Sequence, residues 1–524
     1  MKSSFIKRLY VSVCAALAAT SAQAVYLSTT GTGQVLIYPY YTARNGFATL
    51  LSVTNTQNNT KALKIRFREG MNGRDVSNFS LFLAPNDTWT AVVTDTASGA
   101  RILTNDNSCV GPSFFFDETH KFSGTTQTFN EFYNFFYTGP REDNPAFASM
   151  DRTREGYFEI IEMGVIDAAL STTAAQIVGY VKPDSSTTNC AAVDGFDPLA
   201  SGTNPIRFPN SGAALTAPPR GGLRGFASLV NAASGANYTY RPTALDGWSS
   251  QVAYSELGGR GTLLSDAFPA ASVVSTPDGV VTARWANGRD AVSAVLMRES
   301  LMNDFVLDNG TASQTDWIVT LPTKPFHTDS FYTIANSTGA APFGGYMFSK
   351  DTIICDGLVT SLSNRDGNRP GSFIFPSVRP PPPTGSGSPQ LCRTTNVVPF
   401  SATATGGVFN LTSLLGSPTL SPVGYYDFYL YIPESASSPS PLTSPALRGG
   451  SGPNGRATFL FNQAQQQLTP LSATLISPSG TQTTIPGKHF GLPVIGLMLH
   501  NYKNANVVSR YGGVIEHSYA VRVE

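Results

Sequence analysis

Two carboxylates facing one bond are what glycoside hydrolysis requires, and Glu159 and Glu162 are the first pair to weigh. They lie in Gly156-Tyr157-Phe158-Glu159-Ile160-Ile161-Glu162-Met163-Gly164, which reads as a buried strand. Side chains three apart in a strand point to opposite faces, so these two are not expected to share a site. They read instead as strand-end carboxylates bonded to loops. The histidines are His120, His327, His489, His500 and His517. The last three belong to one C-terminal region, yet their separations of 11 and 17 residues match no local metal motif. Satisfied or exposed imidazoles are the expectation. Neither H-E-x-x-H nor G-x-S-x-G occurs, so no catalytic residue is assigned. Asn364-Arg365-Asp366-Gly367-Asn368 has the oxygen donors and glycine of a calcium loop but lacks the closing Glu. A turn is the preferred reading there, with calcium as the one cofactor to consider. Trp89, Trp248, Trp285 and Trp317 are candidates for stacking on sugars if they face solvent.

Cysteine chemistry points to the compartment. Lys2, Lys7 and Arg8 precede the apolar run Leu9–Ala18, and Ala22-Gln23-Ala24 is a small-x-small cleavage site. Residues 1–24 therefore read as a secretory leader, with Val25 as the mature N-terminus. The apolar run is shorter than the roughly 20 residues that span a bilayer, which argues against an anchor helix. Cys14 follows Val13 where lipid attachment wants a small residue, so a lipoprotein is a minor alternative. Beyond the leader remain Cys109, Cys190, Cys355 and Cys392, an even number that in an oxidising compartment favours disulfides over a zinc site. Of three possible pairings, Cys109–Cys190 with Cys355–Cys392 is expected, because each pair lies within one stretch of chain. The second would close a loop containing Pro380-Pro381-Pro382-Pro383, with roughly 3–4 kcal/mol of chain-entropy stabilisation.

The elements that must carry these residues read as strands. Leu63, Ile65 and Phe67 alternate with Lys64, Arg66 and Arg68, which predicts a strand over Lys61–Glu69 with one dry and one wet face. Further strands are predicted at Thr49–Thr54, Phe79–Leu83, Trp89–Val93, Phe226–Asn231, Tyr238–Tyr240, Asp316–Leu321, Tyr425–Ile432, Arg456–Phe461, Leu492–Asn501 and Ser518–Val523. An aromatic-rich stretch over residues 111–137 reads as core filling. Asp167–Val178 fits a helix or a long loop, and Ala291–Phe305 has the spacing of one amphipathic helix. Pro- and Ser-rich runs at Pro376–Pro389 and Pro433–Pro453 read as linkers or exposed loops.

Composition narrows the function classes. Only 13% of the 524 residues are charged, while Gly and Pro together number 84, from 48 and 36. Removing the three leader cations from 35 leaves 32 bases against 35 acids, a net −3. No basic stripe is available for phosphates, which excludes nucleic acid as a partner.

Tyr38-Pro39-Tyr40-Tyr41 with the following Phe47–Val93 region, Gly156–Gly164, and Thr315-Asp316-Trp317-Ile318-Val319-Thr320-Leu321-Pro322-Thr323-Lys324 together resemble a group of uncharacterised secreted β-rich proteins of proteobacteria. The resemblance covers scattered blocks over about half the chain. It implies an exported protein of a bacterium with two membranes and assigns no activity.

The expectation is a mostly β chain of two or three β-sandwich domains, Ig-like or jelly-roll-like, with one or two short helices. The divisions are 25–215, 216–375 with one helix, a Pro-rich linker at 376–391, and 392–524, which can pack with the first. The expected role is an exported structural or adhesive component of the cell surface, the extracellular space or the periplasm. Its partners would be other surface proteins, glycans or itself, joined through open strand edges. A secreted carbohydrate-binding or carbohydrate-active protein is the alternative. An outer-membrane β-barrel is a second, opposed by the lack of regular alternating segments of about ten residues and by the final Arg522-Val523-Glu524.

Overall fold

The structure, a computed structural model, describes residues 24–111, 115–122, 125–133, 149–181, 190, 216–255, 261–307, 311–329, 332, 341–344, 354–365, 390–401, 413–417, 430–431, 454–461, 468–476, 485–503 and 510–524. The chain is mostly β, with few helices. Val25–Leu27 (β1), Val35–Thr42 (β2), Ala48–Asn55 (β3), Thr60–Glu69 (β4), Asp75–Leu83 (β5) and Thr88–Asp95 (β6) come first. Ala100–Thr104 (β7), Cys109–Gly111 (β8), Phe115–Phe122 (β9), Thr125–Glu131 (β10) and the long Glu155–Ile166 (β11) follow. Next are Thr216–Ala217 (β12), Leu223–Asn231 (β13), Ala236–Tyr240 (β14), Thr243–Asp246 (β15), Ala271–Thr276 (β16) and Gly279–Arg284 (β17). The helices used below are Thr172–Val181 (α1), Gly288–Leu296 (α2) and Lys324–Thr328 (α3).

The first sheet has twelve strands. Its order is open: Ile485–His489, Leu471–Ile476, β17, β16, β1, β15, β2, β11, β4, β5, β8, with β12 beside β11. Strands from all three stretches 25–215, 216–375 and 392–524 thus meet in one ladder system. The second sheet runs β14-β13-β3-β6-β7-β10-β9. The turns after β3 and after β5 do not make hairpins, because each passes the chain from one sheet to the other. Asn55 holds both turns, donating from Nδ2 to the carbonyls of Asn59 (2.6 Å) and Ala84 (2.8 Å). Between the sheets, Leu63, Ile65 and Phe67 of β4 and Phe158 and Ile160 of β11 face Leu51, Val53, Trp89, Val93 and Leu229. The period-two alternation of these strands puts one apolar row inward, and burial at roughly 25 cal/mol per Å² holds the layers together.

A third sheet, centred on Gln314–Thr320 with Thr395–Ser401 and Ile495–Lys503 on either side, is apolar on both faces. Ile318, Val397, Leu497 and Leu499 join the main core. On its other face Trp317, Phe400 and Met498 meet Leu301, Phe305 and Phe459 of a fourth sheet, built from Ser300–Val306, Val359–Asn364, Asn454–Leu460 and Ser518–Ala520.

One predicted element is overturned. Ala291–Phe305 is not a single helix: α2 ends at Leu296, and Met297–Arg298 and Ser300–Val306 are strands. A spacing of four residues satisfies both a helix and a strand, so Leu301 and Phe305 reach one core either way. Tertiary pairing decides: Ser300–Val306 has ladder partners on both edges. The helix itself is capped at both ends. Asn287 accepts from the Asp290 amide (2.9 Å), and Arg298 Nη1 donates to the carbonyls of Val295 (3.0 Å) and Met297 (2.8 Å). In the 167–178 region the helix is α1. The leader up to Gln23, most of the calcium-like loop, both Pro-rich runs and the side chains of Phe114–Phe129 lie outside the described residues; Phe132 is in the main core.

Candidate functional site

The densest collection of ionisable side chains lies at one end of the first sheet, inside the protein. Lys64, Arg66 and Arg68 on β4 do not face solvent as the alternation suggested; all three are buried. The back of the sheet is covered by Trp248, Leu264, α2 and Phe326, so both faces of β4 are interior. The cations are tolerated because β11 brings a complementary row alongside, with Glu159 in register opposite Arg66 and Tyr157 opposite Arg68. Arg68 pairs with Glu159 and with Asp75 (3.1 Å), and Arg66 pairs with Asp75 and donates from Nε to the Thr262 carbonyl (3.0 Å). The guanidinium of Arg68 also lies over the rings of Phe326 (5.0 Å) and Tyr332 (5.2 Å).

The pairing continues along that end of the sheet and ties loops to it. Arg74 meets Asp329 (2.8 Å), and Arg152 meets Glu69 (3.0 Å). Glu69 additionally accepts from the amides of Met71 (2.7 Å) and Asn72 (2.8 Å), closing the turn between β4 and β5. Glu155 receives the Tyr40 hydroxyl (3.0 Å) and the guanidiniums of Arg44 and Arg393, each at 3.4 Å. Three otherwise separate stretches, 149–155, 324–329 and 390–396, are thereby fixed to that end of the sheet. Lys324 does the same for the second disulfide. Its ammonium reaches Asp356 (2.8 Å) and the carbonyls of Ile354 (2.8 Å) and Leu391 (3.2 Å), on both sides of the Cys355–Cys392 bridge.

Glu159 and Glu162 lie on opposite faces, as strand geometry requires. Glu162 takes the Lys61 ammonium (2.6 Å) and the amides of Arg220 (3.0 Å) and Gly221 (2.8 Å). Burial pushes both carboxyls above the usual range, and the cations beside them, Arg68 and Lys61, pull back. Glu159 is held at mid-strand and not by a loop, unlike the strand-end expectation. Neither is placed to exchange a proton with a ligand.

His327, His489, His500 and His517 do not converge, and the side chain of His120 lies outside the described residues. His517 donates from Nε2 to the Ile318 carbonyl (3.1 Å), accepts at Nδ1 from Asn303 (3.1 Å), and packs on Trp317 (4.8 Å). His489 is buried against Trp285 (5.0 Å). Burial pushes each of these imidazoles down to about 4. His500 is half-buried beside Met498. His327 contacts Ser293 through Nε2 (2.8 Å), the one serine–imidazole contact among the described residues. Ser293 is also hydrogen-bonded to the Thr323 hydroxyl (2.9 Å). Ser293 and His327 are both fully enclosed. Among the described residues no three His, Cys, Asp or Glu side chains are placed to share a metal ion.

Both expected disulfides, Cys109–Cys190 and Cys355–Cys392, are formed. All four candidate stacking residues, Trp89, Trp248, Trp285 and Trp317, are buried, and each indole sits in a core. The surface feature that sequence reasoning missed lies on the outer face of the second sheet. A shallow depression there crosses the strands over Ser52 and Thr90, flanked by Leu50, Val92, Leu103 and Phe226. No charged side chain lines it. Alternation along β3, β6 and β13 shows these positions facing outward, but nothing in the pattern separates a solvent face from a covered one.

Comparison with known proteins identifies no relative: no family model matches the chain, no curated protein matches it, and no solved structure matches its fold. Among the described residues no helix is long and apolar enough to cross a membrane.

Proposed function

We propose that this chain is exported and serves as a non-catalytic structural or adhesive component of the cell surface, the extracellular space or the periplasm. The observation that carries the reading is where the reactive side chains go. The buried carboxylates Glu69, Glu155, Glu159, Glu162, Asp75 and Asp329 are each bonded to a cation that ties strands or loops together, and the serine–imidazole contact is sealed. Groups that an enzyme would aim at a substrate act here as joints. Two disulfides support an oxidising compartment, where thiols persist in that form. Fractionation of the native host tests this. The expected result is a protein in the envelope, periplasm or medium that begins at Val25, resists thiol alkylation until reduced, and sediments as an assembly. Recovery from the cytosol with residues 1–24 intact and free thiols would overturn it.

Glycan binding is a second reading, favoured by the uncharged depression with its exposed Phe226 ring and the neighbouring hydroxyl pair Thr54–Thr88 (2.9 Å). Titration of the full chain with neutral oligosaccharides, alongside Phe226→Ala, separates the two. Saturable binding lost in the variant supports the glycan reading, and no binding leaves the structural one.

A further inference from the structure

We infer that the Ala24–Val25 bond can be cut only before the chain folds, because the residues it releases are the hydrogen-bonded link between two parts of the first sheet. This inference rests on the export reading above. Among the described residues, β16, β17, Leu471–Ile476 and Ile485–His489 join the other strands of the first sheet through β1, and His489 bridges separately to Val523 near the fourth sheet. That strand is three residues long and has two partners. Tyr26 and Leu27 lie antiparallel to Asp246 and Leu245 of β15, and Val25 and Tyr26 lie parallel to Ser272 and Val273 of β16. The expected scissile bond is not at a frayed end. Ala24 is 2% exposed and Val25 is 0% exposed, and Val25 packs in the core that holds Trp248, Trp285 and α2. Gly247, with φ +63°, makes room for this entry: a Cβ there would lie 2.3 Å from the Ala24 carbonyl oxygen.

A peptidase needs several residues of extended, unpaired backbone around the bond it cuts. Once β1 is in place, the residues after the bond, Val25–Leu27, belong to two ladders and Ala24 is buried, so cleavage must wait for the strand to open. Leader removal and closure of the sheet are therefore ordered events, the first on an unfolded chain and the second after it. Cleavage and the lock formed by β1 use the same residues, so a folded precursor is a dead end for processing.

The test uses the full-length precursor, purified and refolded with its disulfides formed, and offered to a leader peptidase. Cleavage at Val25 is expected to be at least ~100-fold slower than for the same precursor held unfolded in urea that the peptidase tolerates. Gly247→Ala, which crowds the Ala24 carbonyl, should restore much of the rate while leaving the leader sequence unchanged. If that variant fails to fold, Leu245→Asp opens the same slot from β15, and tryptophan emission reports whether the cores stay closed. Equal rates for folded and unfolded precursor overturn the inference while the export reading stands. An unfolded precursor that is not cut at Val25 sinks the export reading itself, and the inference with it.

Discussion

Glu159 and Asp316 are both fully buried carboxylates at the centres of neighbouring sheets, yet they are held in opposite ways. Glu159 has the guanidinium of Arg68 against it, with Arg66 close by. Among the described residues Asp316 has no cation within pairing distance. It accepts the Ser413 hydroxyl (2.6 Å) and the Leu415 amide (3.3 Å), and these two bonds pin a turn whose Leu414 and Leu415 enter the main core. Burial pushes Asp316 up to about 6, with only neutral donors to oppose it. The difference separates two uses of a buried charge. A cation-paired carboxylate fixes geometry over a wide pH range, whereas one held by neutral donors fixes it best when protonated.

The largest effect should come from breaking the paired region. Arg68→Met leaves Glu159 buried without its main partner and should cost about 3–5 kcal/mol in urea unfolding with the disulfides intact. Adding Glu159→Gln should recover a large part of that loss, because the uncompensated charge goes with it. A double variant as unstable as the single one would show that the charges are not coupled.

Asp316 gives the next effect, and its sign differs from ordinary acid denaturation. An unfolded Asp titrates near 3.9 and the folded Asp316 near 6. The folded value is the higher one, so its stabilising contribution is full below about pH 4 and is lost as pH rises through about 6. Two units correspond to about 3 kcal/mol. Asp316→Asn should lack this slope, so the stability difference between wild type and variant should itself fall as pH rises over 4–7. An unchanged slope would mean that Asp316 is better solvated than its burial implies.

The smallest effect tests a cation with no carboxylate partner among the described residues. Arg298 caps the carbonyls at the end of α2 and lies under the Tyr519 ring (3.9 Å), and burial pushes it down to about 10. The negative end of the helix takes the place of an acid. Arg298→Met should cost about 1 kcal/mol in the same unfolding assay. A loss as large as that at Arg68 would contradict the distinction between the two regions.

Much of the architecture was legible in the sequence. Alternation located β4, the strands predicted at Phe226–Asn231 and Asp316–Leu321 match β13 and Gln314–Thr320, and the place of each cysteine pair within one stretch of chain anticipated both disulfides. The charged joint was not legible in β4 alone. Lys64-x-Arg66-x-Arg68 is what a solvated strand face looks like, and only Glu155-x-Tyr157-x-Glu159 on β11 identifies it as half of an internal pair. Recognising that requires knowing that β4 and β11, some 90 residues apart, are neighbours. The error at Ala291–Phe305 has a similar origin, because four-residue spacing fits both periods and the ladder partners lie at Asn454–Leu460 and Ser518–Ala520.

The pairing of β17 with Leu471–Ile476 has a bearing on how such a chain is made. Strands near residue 280 wait for a partner nearly 200 positions later, so an edge stays bare through much of synthesis. A product with this topology needs a chaperone or a delay in collapse until Leu471–Ile476 has been made. Its yield should fall faster with concentration than that of a protein whose neighbours in space are neighbours in sequence.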